Sequence, residues 1–217
     1  MEEVAHYRVH MNGRWTLADL YDFPHALSQA YAFFYCLDLK VPSVDSERLD
    51  AALTGYPWRG GYSYVNLYTV LKNQVAPPHR PRIVSIQYAS PGWIELSLAL
   101  AAVVKVSAAI SGVLATGAGA VSTYKHLQSV FSDIAHRRAR ARVRSLELSV
   151  QQVQLVHALS DELSKTMGFE NFQELVSRTG SVEVAGKIIA AQYRRVEKMA
   201  EFAQQGKAFL PYSNEQD

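Results

Sequence analysis

A single cysteine, Cys36, in 217 residues excludes an internal disulfide. The start Met1-Glu2-Glu3-Val4-Ala5-His6 lacks the basic and apolar regions of a secretory signal. Both point to a reducing compartment: the cytoplasm or the cytoplasmic face of the inner membrane. Cys36 lies in Ala32-Phe33-Phe34-Tyr35-Cys36-Leu37, an apolar setting that raises a thiol pKa, which predicts a core residue and no nucleophile. Charge is scarce as well. Ionic residues are 19% of the chain, below the usual quarter, and the net charge of +2 is too small to mark a nucleic-acid binder by itself.

The motifs of enzymes are missing too. The histidines at 6, 10, 25, 79, 126, 136 and 157 include no His-Glu-x-x-His, and one cysteine cannot form Cys-x-x-Cys, so no metal site is expected. His6 and His10 share a strand face with Arg8 between them, which repels a cation. Asp19, Asp22 and His25 read as capping and surface groups beside Pro24. Gly117-Ala118-Gly119 lacks the Gly-Lys-Ser/Thr ending of a phosphate loop, and no Ser, His and Asp grouping has local motif support. The reading is a non-enzymatic protein without cofactor or metal.

What the chain has is 48% hydrophobic residues, enough to bury a core without staples. Val4 to Met11 alternates, with Tyr7, Val9 and Met11 inward, and ends at the turn signal Asn12-Gly13. Thr16 caps a short helix over Leu17 to Tyr21. Pro24 opens a longer one to about Leu39, and further helices start near Ser46 and Ser63. Prolines 77, 78 and 81 form a linker before the alternating run Arg82 to Tyr88. This second strand is expected to pair with the first under the Phe-rich helices, with a third short strand or a neighbouring chain completing the sheet. Ser90-Pro91 then supplies a helix start, and everything beyond reads as helical. Leu127, Ile134, Ala141, Leu148 and Leu155 recur every seven residues and predict one long helix on a narrow seam. Ser181 starts a patterned final helix through Val182, Ala185, Ile189, Tyr193, Val196, Ala200 and Ala203.

The expected fold is α+β, mostly α. A small N-terminal α+β module with few strands spans 1–89, an apolar small-residue helix or hairpin 90–124, a helical region 125–212, and a loose tail 213–217.

Three segments stand out. Trp93 to Ser122 holds only two charges, Glu95 and Lys105, and as one helix would reach about 45 Å, more than the roughly 30 Å of a bilayer core. Its few strongly apolar side chains contribute only about −2 kcal/mol to insertion, which its Ser, Thr and Gly offset, so a lone lipid-facing helix is unfavourable. Ala108, Gly112 and Thr116, beside Ser111, Ala115 and Gly119, form a stripe of small residues that permits close helix approach and predicts self-association. The alternative is a helical hairpin broken at Gly117 to Gly119 and buried in a bundle.

The second segment is the basic collar Arg137, Arg138, Arg140, Arg142 and Arg144, suited to anionic headgroups or nucleic-acid phosphates, or to pairing with Asp133 and Glu147 on a solvated helix. The third is the loop Thr54 to Tyr64, where Tyr56, Trp58, Arg59 and Tyr62 offer stacking groups and a cation to a ligand or partner protein.

The junction Ile83 to Pro91, with Tyr88-Ala89-Ser90-Pro91 before an apolar and then an Arg-rich helix, resembles a pattern in uncharacterised bacterial proteins over about 82–148. The resemblance implies bacterial origin and a strand-to-helix junction, and no activity. Together these readings predict a self-associating homo-oligomer that engages an anionic membrane, such as a membrane-disrupting toxin or antiviral defence effector. The alternatives are a soluble helical scaffold or adaptor, and a nucleic-acid binder acting through the collar.

Overall fold

The computed structural model describes residues 4–39, 41, 44–55, 63–141 and 147–211. Strand β1, Val4–Met11, buries Tyr7, Val9 and Met11 and turns the residues between them outward, as its alternation predicts. Helix α1, Leu17–Leu37, starts at a capping box in which the Thr16 hydroxyl accepts from the Asp19 amide and the Asp19 carboxylate accepts from the Thr16 amide. It runs through Pro24 without ending there, joining the two helices expected on either side of it. Proline removes one ladder hydrogen bond, but from Ala30 to Leu37 every residue of α1 is buried, so packing outweighs that loss. Helices α2, Ser46–Gly55, and α3, Ser63–Gln74, follow, then a 3₁₀ turn over Pro77–His79.

The hairpin of β2, Arg82–Gln87, and β3, Gly92–Ala99, corrects two expectations. Trp93 to Ala99 is a strand and opens no helix: Ile94, Leu96 and Leu98 point inward and Trp93, Glu95 and Ser97 outward, a period of two in which Glu95 has its place on the solvent side. Ser90 and Pro91 lie in the turn between these strands and cap nothing, and their peptide bond is cis. Likewise β1 does not pair with β2. Both run antiparallel to β3, which lies between them, and β4, Ala208–Phe209, adds to the other side of β1 in the order β2-β3-β1-β4. Since β1 and β2 are therefore parallel, β1, α1 and β2 form a split βαβ unit. The returning β4 means that the chain beyond Ser90 is not helical throughout.

Helix α4, Leu100–Thr116, and helix α5, Ala118–Arg140, meet at a bend of 96° on Gly117, whose φ of +49° suits a residue without Cβ. The seven-residue seam is not one helix. α5 ends at Arg140 and α6, Val150–Thr166, starts afresh, because Ser149 and Gln152 form a second capping box. Leu127 and Ile134 are buried while Leu155 is over a third exposed. After α7, Phe172–Thr179, Ser181 caps α8, Val182–Gln204, whose predicted inward residues Ala185, Ile189, Tyr193, Val196 and Ala200 are buried. α8 packs on α1, α4 and α6, so the N-terminal elements and the C-terminal helices share one hydrophobic core. The protein is α+β and mostly α, with eight α-helices and one antiparallel sheet among the described residues.

Candidate interaction surfaces

The small-residue stripe is divided between inside and outside. Ala102, Val103, Val106, Ala109, Ile110 and Val113 turn α4 into the core, which leaves Ala108, Ala115, Thr116 and Gly119 exposed and Ser111 and Gly112 half-buried. Gly112 is used within the chain: a Cβ there would run into the carbonyl oxygen of Thr166 on α6. At Gly119, by contrast, a Cβ meets nothing within 4 Å. Lys105 reaches Asp38, a side chain only 2% exposed, with Nζ 2.9 Å from Oδ2. The one charge inside α4 therefore ties that helix to the end of α1. Among the described residues no single helix is long and apolar enough to cross a membrane; the bent pair α4 and α5 meets that length and composition only together.

The basic collar is divided as well. Arg138 makes a bidentate pair with Glu183, Nη1 to Oε1 at 2.7 Å and Nη2 to Oε2 at 2.8 Å, while Lys187 Nζ approaches the same carboxylate at 2.6 Å. Burial alone would raise the Glu183 pKa, but the hydrogen bonds from Arg138 and Lys187 outweigh it and hold the carboxyl below its ordinary range. Arg138 thus joins the end of α5 to the start of α8. Arg137 and Arg140 are exposed, and Arg142 and Arg144 lie outside the described residues. The loop residues Tyr56, Trp58, Arg59 and Tyr62 also lie outside them.

Cys36 is buried and donates to the Leu71 carbonyl, and burial pushes its thiol up to about 12, which suppresses thiolate chemistry at neutral pH. Among the described residues no three His, Cys, Asp or Glu side chains group where they would hold a metal ion. His6 and Arg8 instead meet Glu95 across the outer sheet face, at 3.2 and 3.8 Å. Asp19 accepts from Lys207 Nζ at 2.9 Å as well as from Thr16, and its carboxyl is lowered to about 2, chiefly by the Thr16 amide.

The sequence pattern missed an exposed apolar edge of the sheet. All six residues of β2 are exposed, including Ile83 (55%), Val84 (49%) and Ile86 (49%), with Tyr88 at 63% just beyond. Ile83 and Ile86 lie opposite Leu96 and Ile94 and so share the sheet's inner face, yet the helical layer stops at β3. A bulge between Ile83 and Ser85 interrupts the register at Val84. The alternation of Arg82 to Tyr88 marks a strand correctly and carries no information on whether helices cover it.

These features define an α+β protein with a split βαβ sheet, an uncovered apolar edge strand and a structural role for much of its charge. No family model, curated protein or solved structure matches the chain.

Proposed function

We propose that this chain is a non-enzymatic, self-associating scaffold whose copies meet along β2. The observation that carries the reading is the exposure of Ile83, Val84, Ile86 and Tyr88 on an edge strand, since an uncovered apolar edge offers both backbone hydrogen-bonding groups and surface for burial. The occupant is a second copy in antiparallel, twofold apposition. Arg82 is the only charged residue of β2, and antiparallel pairing sets it against the neutral Gln87 while Ile83 faces Ile86; parallel pairing would oppose two arginines. Sedimentation velocity of the wild-type chain is expected to give a dimer, and Ile86→Lys a folded monomer. A wild-type monomer at about 100 μM, well above the micromolar affinities of weak specific complexes, overturns the reading.

Membrane engagement by a bacterial effector is the second reading. One observation favours it: the outward side of α4 beyond Lys105, with Ala108, Ala115 and Thr116 exposed, carries no charge. It is expected to show as co-sedimentation with liposomes and leakage of their contents; absence of both in the oligomeric protein removes it and leaves the scaffold.

A further inference from the structure

A groove of about 270 Å³ runs between α1 and α8, lined by Asp22, His25, Gln29, Arg194, Arg195 and Lys198. Its centre is a chain of hydrogen bonds with a fixed direction. Arg195 Nε donates to Gln29 Oε1 at 2.8 Å, and Nη1 donates to the Ala191 carbonyl at 3.3 Å. Because Oε1 accepts, the Gln29 amide nitrogen is the atom 2.9 Å from His25 Nε2, so it donates and the imidazole accepts there. His25 is then neutral and carries its proton on Nδ1. Burial first, then Lys72 and Arg195, lower its pKa, against the opposing charge of Asp22.

The network rests on a buried amide, with Arg195 half-buried beside it and His25 exposed at its outer end. Gln29 is 9% exposed. The Arg195 guanidinium lies 4.7 Å from the centre of the Tyr68 ring, and the Tyr68 hydroxyl donates to Oε1 of the fully buried Gln192. Among the described residues Arg195 meets no carboxylate. A glutamate at 29 would accept the same hydrogen bond and neutralise the site, whereas the amide satisfies Arg195 and leaves its charge. Lys198 stands 3.7 Å from Asp22 and 3.4 Å from Glu201 at its rim. Of the groove's own lining, three side chains are basic (Arg194, Arg195, Lys198) and one is a carboxylate (Asp22), with Lys72 acting from α3 and Glu197 and Glu201 acting on Arg194 and Lys198 from α8.

We propose that this groove binds a phosphoryl group, with Arg195 and Lys198 meeting its oxygens and the neutral His25 ring acting as a further donor. Planar guanidinium and ammonium donors suit such oxygens. The volume lies just below the roughly 300 Å³ at which drug-sized pockets begin, which fits one phosphoryl with a small substituent. That group is found on small phosphorylated molecules and on lipid headgroups. Leu17 (86% exposed) and Tyr21 (67% exposed) lie on the same side of α1, two turns and one turn before His25, where they would meet a lipid surface.

The test uses the full chain. Glycerol 3-phosphate is titrated by calorimetry, and phosphatidylcholine vesicles with and without phosphatidate are assayed by co-sedimentation. Saturable binding of either probe with a Kd near or below about 1 mM is expected, weakened about tenfold in Gln29→Glu and severalfold in the surface variant Lys198→Gln. Binding to glycerol 3-phosphate identifies a soluble ligand; binding only to phosphatidate vesicles, lost in Leu17→Ser, identifies a headgroup. No saturable binding to either probe, or binding unchanged in both groove variants, overturns the proposal. Neither groove variant touches β2, so its effect is separable from the oligomeric state.

Discussion

β2 and β3 are neighbours in one sheet, each with three large aliphatic side chains, and they meet opposite fates. Ile94, Leu96 and Leu98 of β3 are at most 5% exposed, whereas Ile83, Val84 and Ile86 of β2 are about half exposed. The difference is coverage: helices cover β3 and stop short of β2. Apolar content therefore measures what a strand can bury, and the layer above it decides what is buried.

The sharpest way to break this contrast is a pair of alanine substitutions. Leu98→Ala, at a fully buried site, is expected to cost about 2 to 5 kcal/mol, and Ile86→Ala about 0.5 kcal/mol, by urea unfolding at low protein concentration. Equal losses would mean that β2 is covered after all.

The same contrast divides the glycines of the small-residue stripe. Gly112→Ala drives a methyl group into the Thr166 carbonyl and is expected to cost about 1 to 3 kcal/mol, while Gly119→Ala meets open space in the first turn of α5 and is expected to stabilise by up to about 0.5 kcal/mol. Thermal unfolding of the two variants should move in opposite directions.

Among the arginines, Arg138→Gln is expected to cost about 1 to 2 kcal/mol, less than the loss of a fully buried pair because Lys187 still faces Glu183, and Arg140→Gln less than about 0.5 kcal/mol. The smallest effect is in pH dependence. A carboxyl lowered in the folded state contributes stability above its unfolded pKa and loses it as pH falls through its folded value. For Glu183 the loss therefore begins below its ordinary 4.5, and for Asp19 it runs from 3.8 down to about 2. In Arg138→Gln the Glu183 part of this acid limb is expected to move to higher pH, as read from unfolding curves between pH 2 and 6.

Where a local device fixes structure, the residues reveal it. Thr16 and Ser181 cap helices as expected, Tyr7, Val9 and Met11 alternate into the core, and the glycine run marks a real break. Ser149 and Gln152 are an equally local cap, obscured by the heptad spacing on either side. Of the candidate sites less was legible. The spacing of the arginines does not reveal that Arg138 is held by a carboxylate 45 residues away, and nothing near Gln29 points to Arg195.

The residues by themselves determined which segments alternate, where helices start, that Cys36 is buried, and that the chain is mostly helical. Only the tertiary structure decided that β3 stands between β1 and β2, that β2 stays uncovered, and which charges are internal. Periods and caps act within a few residues, whereas coverage and ion pairing depend on elements brought together from distant parts of the chain.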